Sequence, residues 1–369
     1  MKYFSRTMQT SGALFAAMLV LSVPSGVPAQ QSPIFKEDLH PYGFLTSARI
    51  ATIINYTDVN FLTDALLLVT VNQVDFSGSR FLTYPLGDRP PAKLLLFDVS
   101  QKILLKSKDM AIEKETNSVR AIAGGRFALI NEAGLQICSP DLKCGPSLAA
   151  RGSVKASPAG TRIVVGGPAF GTEQLLDAAS LKVLDHFSTT DSDREIAGPV
   201  IPGDDGLLLQ LRGTQYLRLA GQPDRQLPFP CCPFQPAASF INATTIADIE
   251  SDKALVVEKT DGTILYRIRI RARPGGGVET ILAQSGARFC LHETGWTALN
   301  SAMNLGFDED RDFTAESIRV FAADSGKILF DLHENPRPYL ARLSTPALSP
   351  DGHRLAMIRR GFHEVFEIP

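Results

Sequence analysis

Seven times along this 369-residue chain the same pattern recurs: a short strand, a tight turn, then a second apolar strand. Five copies carry glycine in the turn: VRAIAGGRFALI (119–130), VKASPAGTRIVV (154–165), GPVIPGDDGLLLQL (198–211), ILAQSGARFCL (281–291) and ALSPDGHRLAMI (347–358). Two more, VNFLTDALLLVTV (59–71) and ASFINATTIADI (238–249), put Asp64 and Asn242 there, residue types that tolerate turn geometry. In Ser349-Pro350-Asp351-Gly352 the proline presets φ, the aspartate can bond the backbone ahead, and the glycine supplies positive φ.

A second strand-turn-strand unit follows each of the first six copies: LLLFDVSQKILLK, LQICSPDLKC, QLLDAASLKVLDHF, YLRLAGQPDRQL, LVVEKTDGTILYRI and IRVFAADSGKILFDL. The turn markers Asp64, Gly124, Gly160, Gly206, Asn242, Gly286 and Gly352 lie 60, 36, 46, 36, 44 and 66 residues apart. Four strands every ~40 to 50 residues is the period of a β-propeller blade. The pattern therefore predicts an all-β, seven-bladed β-propeller with four antiparallel strands per blade. A two-sheet sandwich also uses many short strands, but seven periodic copies argue against it.

The last copy supplies three strands, through Phe362 to Ile368, and lacks an outer one. An N-terminal strand completing that blade would close the ring and leave no exposed sheet edge at the seam. The β-branched segment TSARIATIINY (46–56) is the expected closing strand, which makes 46–369 the propeller domain and 30–45 an N-terminal tail. The turns resemble those of TolB-like and WD-repeat-like bacterial propellers, with 349–352 a full match and Ser157-Pro158-Ala159-Gly160 close to it. That resemblance implies the fold and says almost nothing of function. The Trp-Asp dipeptide of WD repeats is absent, because the single tryptophan, Trp296, precedes a threonine.

The N-terminus has Lys2 and Arg6, an uncharged apolar run over 13–23, and small residues ending at Ala29. This is the pattern of a cleaved secretory signal peptide over 1–29, and it predicts a secreted or periplasmic protein. The run is shorter than the ~20 apolar residues that span a bilayer, and no later segment reads as a membrane span. Removing it takes away two basic and no acidic residues, so the formal charge moves from -2 to -4. Nucleic-acid binding through a basic surface is not expected. A monomer is.

Motifs for hydrolase chemistry are missing: there is no Gly-x-Ser-x-Gly elbow and no His-Glu-x-x-His, and no haem-attachment motif either. No cofactor is expected. The six histidines form no metal-ligand spacing, and they read as surface or strand residues. Asp308, Asp310 and Asp312 alternate as oxygen ligands do in calcium loops, but the rest of that motif is absent and a solvated loop is expected instead of a metal site. Five cysteines in an exported chain suggest disulfides with one left over. Cys138 and Cys144 flank a turn and are expected to bridge; Cys231-Cys232 are a vicinal disulfide or two thiols; Cys290 sits in an apolar strand as a buried thiol. Asn55 and Asn242 have glycosylation spacing, read here as chance.

In such a fold the turns within each hairpin share one face of the disc, and the loops joining hairpins share the other. Here the first set is tight, and the second holds the long segments 74–92 and 292–316, with connections at 106–118, 188–197 and 333–345. Loops on a rigid scaffold are where binding residues gather. The two long insertions belong to blades one and six, which flank blade seven, so they should rise around its short turn as a notch. Arg80, Tyr84, Asp88 and Arg89 are candidates for one wall, Trp296, Asp308 and Asp310 for the other, and Arg359 for the floor. Aromatic and arginine side chains suit a protein or peptide partner. The expected function is therefore a non-enzymatic binding module. The alternative is a hydrolase or lyase acting on a carbohydrate or lactone, with carboxylates at the channel mouth.

Overall fold

The computed structural model describes residues 32–44, 53–75, 91–110, 112, 118–169, 171–188, 200–211, 214–228, 238–251, 254–271, 277–296, 313–334, 346–359 and 361–369. These form seven antiparallel sheets. Blade one is β2 (Ile53–Phe61), β3 (Leu66–Asp75), β4 (Ala92–Asp98) and β5 (Ile103–Met110), and β1 (Phe35–Asp38) precedes it. Blade two is β6 (Val119–Ile122), β7 (Arg126–Asn131) and β8 (Gly134–Cys138); blade three is β9 (Arg151–Ala156), β10 (Arg162–Gly166), β11 (Thr172–Asp177) and β12 (Val183–Ser188). Blade four is β13 (Ile201–Pro202), β14 (Gly206–Leu211), β15 (Thr214–Leu219) and β16 (Arg225–Gln226); blade five is β17 (Ser239–Asn242), β18 (Thr245–Ser251), β19 (Ala254–Lys259) and β20 (Ile264–Arg269). Blade six is β21 (Gly277–Leu282), β22 (Arg288–Trp296), β23 (Phe313–Ala322) and β24 (Ile328–Glu334). Blade seven is β25 (Ala347–Leu348), β26 (Arg354–Arg359) and β27 (Phe362–Glu367), with β1 as its fourth strand.

The expected propeller is thus present, and its seam is closed by an N-terminal strand, but the strand differs from the expected one. β1 pairs antiparallel with β27 (Phe35 opposite Val365, Asp38 opposite Phe362), so the closing strand lies within the stretch that reads as a polar tail. Ile53 to Tyr56, from the segment expected to close the ring, instead begin the inner strand of blade one, paired with β3 from Ile53 opposite Asp75 onward. The reason is local: β1 is four residues long with one aromatic, too short for alternation to show, and its charges serve the outer face. Lys36 Nζ lies 2.8 Å from Glu364 Oε1 and also sits over the Phe362 ring, while Phe35 turns into the core.

Blade two departs from the four-strand pattern in another way. Beyond β8 the fourth position is held by two isolated bridges, Leu135 to Leu148 and Cys138 to Cys144, without a regular strand.

Each sheet is sandwiched between neighbours, which explains why the middle strands read as continuous apolar runs. In LLLVTV, Leu67, Val69 and Val71 face blade seven, while Leu68 faces blade two. On β4, Leu95 and Phe97 join the first cluster, and Leu94 and Leu96 the second. Seven such clusters link every adjacent pair of blades around the ring. Each fully buried large side chain contributes roughly 1.5 to 3 kcal/mol. Outer strands face solvent on one side and turn polar, as in ILLKSKDM of β5.

The repeated turn residues also serve contacts between blades. Ser349 Oγ accepts from Arg354 N at 2.9 Å and Ser157 Oγ from Arg162 N at 3.0 Å, so a serine in the same position closes both the fully matching turn and the one close to it. Gly160 and Gly286 have φ of +68° and +67°, and a Cβ there would lie 2.6 Å from Ala123 N and 2.5 Å from Asn242 Cβ of the preceding blade. Ala123 N donates to Gly160 O at 3.0 Å and Ser285 N to Pro350 O at 2.8 Å. Asp351 N donates to Asp64 Oδ1 at 2.9 Å, carrying the turn-to-turn bonding across the seam.

Candidate functional site

The sheet orders place β2, β6, β9, β13, β17, β21 and β25 at one edge of their blades, unpaired on the far side. These edges line a central channel, where the Asn60 side chain bonds Val119 O and Ala121 N of β6 and backbone groups left over need water or a ligand. Within it lies a cavity of about 200 Å³ bounded by blades one, two, three, six and seven. Its walls include Val59 and Phe61 of β2, Ala156 to Pro158, Glu279 to Leu282, Gln284, and Pro346 to Leu348. Ser157, Pro158 and Gln284 belong to the tight turns, so the cavity reaches from the channel interior toward the tight-turn face. Among the described residues, the charged ones on its lining are Arg120, from β6, and Glu279, from β21.

Glu279 is the channel end of a polar chain that runs outward through blade six. It stands directly opposite His292 in the ladder between β21 and β22. His292 Nδ1 is 3.9 Å from Glu279 Oε2, and its Nε2 is 2.7 Å from Glu316 Oε1 on β23. His292 and Glu316 are each 7% exposed, whereas 46% of the Glu279 side chain remains accessible because it faces the cavity. Burial acts to raise the Glu279 pKa, but His292 and the Arg120 charge outweigh it and hold the carboxyl below its ordinary value. Burial likewise acts to lower the His292 pKa, and the flanking carboxylates Glu279 and Glu316 reverse the direction, favouring the imidazolium.

On the opposite face of the same strands a second network joins blades five and six. Arg319 Nε and Nη2 donate to Glu293 Oε2 at 3.0 and 2.7 Å, and Arg319 Nη2 also donates to Arg269 O at 2.8 Å. Arg271 clamps Asp331 with two bonds of 2.6 and 2.7 Å. Paired in this way, these charges are structural.

Glu279, His292 and Glu316 were not among the sequence candidates. His292 and Glu316 mark the ends of the expected insertion 292–316, yet the β22–β23 ladder continues from them to Trp296 opposite Phe313, leaving 297–312 between the strands. The available signal was a histidine and two glutamates falling within the strand-like stretches of one blade, on β21, β22 and β23.

Of the expected notch, Arg80, Tyr84, Asp88, Arg89, Asp308 and Asp310 lie outside the described residues. Trp296 ends β22, at the base of the blade-six insertion. Arg359 ends β26, its side chain 17% exposed, with Nε 3.3 Å from Glu364 Oε2. The floor arginine is therefore tied to the carboxylate that also holds Lys36 of the closing strand. Among the described residues no group of three His, Cys, Asp or Glu side chains is arranged to hold a metal ion. No helix among them is long and apolar enough to cross a membrane.

Cys138 and Cys144 form the expected disulfide. Cys290 is a buried free thiol, as expected, and burial pushes its pKa up. Cys231 and Cys232 lie outside the described residues.

No protein-family model and no curated protein sequence matches this chain. Among solved structures it is similar to a chain of a mitotic checkpoint complex, at TM-score 0.50 and 11% identity over 100% of this chain and 99% of that one. It is also similar to a streptogramin B lyase, at TM-score 0.49 and 11% identity over 90% of this chain and 97% of that one. Hsv2 of Kluyveromyces lactis matches at TM-score 0.48 and 12% identity, over 83% of this chain and 90% of that one. At this identity the likeness to the checkpoint-complex chain shows a shared fold alone and carries no function.

Proposed function

We propose that this protein is an exported β-propeller that acts as an interaction module, holding a protein or peptide partner in the notch above blades six, seven and one. One observation carries the reading. The segments 76–91 and 297–312 leave the ends of β3 and β22, on blades that each share a core cluster with blade seven. Blade seven itself crosses from β26 to β27 through residues 360–361 alone. Trp296, Tyr84, Arg80 and Arg89 are the anchors, with Asp88, Asp308 and Asp310 as polar contacts and Arg359 as a floor fixed by Glu364. Export is supported by the leader pattern over 1–29 and by the Cys138–Cys144 bridge, which persists in oxidising compartments.

The second reading is a hydrolase or lyase acting on a carbohydrate or lactone, and Glu279 in the channel favours it. Glycoside hydrolysis needs a pair of carboxyl groups, roughly 5 to 9.5 Å apart, both facing the substrate. Among the described residues the cavity lining has Glu279 without a second carboxylate, so binding is the better supported function.

The test is affinity capture with residues 30–369 as bait, compared with a variant whose 297–312 segment is replaced by a short Gly-Ser linker. The partner recovered by the parent chain should be lost. Asp261→Ala and Asp324→Ala, in turns on the opposite face, should recover it unchanged; loss in these two and retention in the linker variant would place binding on the wrong face for this reading.

A further inference from the structure

We propose that the central channel is a binding site for a small dipolar molecule, its cationic group held by Glu279 and its anionic group by Arg120. This site is separate from the notch: it reaches toward the tight-turn face, through Ser157 and Gln284.

The inner strands contribute mostly apolar and small uncharged side chains to the cavity, so two opposite charges there stand out against a low-dielectric wall. They come from blades two and six, which lie across the ring from one another, separated on the short side by blades seven and one. Arg120 has no hydrogen-bond or ion-pair partner among the described residues, although other arginines between blades, Arg319 and Arg271, are clamped by carboxylates. An arginine on a cavity lining can offer forked donors suited to a carboxylate or similar anion.

Glu279 is prepared differently. His292 stands behind it, and Glu316 fixes the far nitrogen of that ring at 2.7 Å, so the imidazole is oriented with its other nitrogen toward Glu279. The 3.9 Å separation is too long for a hydrogen bond and leaves both carboxylate oxygens able to accept from a ligand ammonium. The volume fits the assignment: about 200 Å³ is below the ~300 to 1,000 Å³ of drug-sized pockets, which excludes a helix or a folded partner but admits a compact molecule. A ligand with one charge would meet only one of the two charges on the lining, whereas a dipolar one meets both.

Calorimetric titration of the folded chain with glycine, β-alanine, 4-aminobutanoate and 6-aminohexanoate measures the spacing directly, because these probes separate the same two charges by increasing lengths. Saturable binding should peak at one length, and butanoate and butylammonium should each bind at least about tenfold more weakly than that member. Arg120→Gln breaks no hydrogen bond or ion pair seen among the described residues and should cost about tenfold or more in affinity with an unchanged circular dichroism spectrum and melting temperature. Glu279→Gln should lose affinity as well. Absence of saturable binding across the series, equal binding of a singly charged analogue, or full affinity in Arg120→Gln would each overturn the proposal.

Discussion

Phe35 of the N-terminal strand stands edge-on to His363 of the last strand, their ring centroids 4.8 Å apart at 81°. Phe97 of blade one covers the other side of the imidazole at 4.5 Å. One aromatic cluster thus joins both ends of the described chain to blade one, and the ring's closure rests on it.

Phe35→Ala should cost about 3 to 5 kcal/mol, because the side chain is 6% exposed and its removal leaves a cavity in that cluster. Lys36→Ala should cost less than about 1 kcal/mol, since the lysine is half exposed and Arg359 remains on Glu364. Urea denaturation of the two variants checks the difference. Equal effects would mean that the strand is held by its charges and not by its aromatic.

His363 should make the seam sensitive to acid. It is fully buried, both ring nitrogens lack hydrogen-bond partners, and burial holds its pKa down to about 3. Glu37, opposite it in the ladder, is the acidic residue paired with it in register. The unfolded chain takes up a proton near pH ~6.5 while the folded chain does not, so this group's stability is complete above ~6.5 and is lost as pH falls toward 3. Denaturation midpoints of the parent chain should drop between about pH 7 and pH 4, and His363→Phe should drop less. Parallel curves would show that the imidazole is not held neutral by the fold.

Asp248 predicts the opposite slope. It is 1% exposed on β18, one carboxylate oxygen lacks a partner, and burial pushes its pKa up to about 7 against the Ile249 N–H, with Glu258 adding repulsion and Arg225 opposing it. The folded chain keeps this proton up to about pH 7 and the unfolded chain releases it near ~4. Stability from this group therefore falls as pH rises through that interval and is level above it. Asp248→Asn should raise the denaturation midpoint at about pH 8 and change it much less at about pH 4. An equal gain at both would mean that the carboxylate is ionised throughout.

The Cys138–Cys144 bridge closes a short loop and should contribute on the order of 2 kcal/mol, a modest effect by loop entropy. Peptide mapping of protein from an oxidising compartment should show this segment lighter by two hydrogens than its reduced form. Alkylation of both thiols without prior reduction would remove the bridge from the account.

The number of blades, the hairpin turns and the bridging cysteines were all legible in the sequence, because each rests on residues close together in the chain. Ser349 to Gly352 specify their turn through φ preference and short-range bonds, and Cys138 and Cys144 flank one hairpin turn. The identity of the closing strand was decided only by the fold. Phe35 becomes a core residue because Val365 and Phe97, far along the chain, form the surface that buries it, and nothing within Phe35–Asp38 signals that partner. The channel pair was hidden for the same reason. Arg120 and Glu279 are 159 positions apart by number, and each alone reads as a polar residue on a short inner strand. Curvature of seven packed sheets into a ring brings them to one cavity, and burial of His292 and Glu316 behind Glu279 turns a carboxylate into a site. Local residue chemistry determined the repeat; long-range packing determined what the repeat encloses.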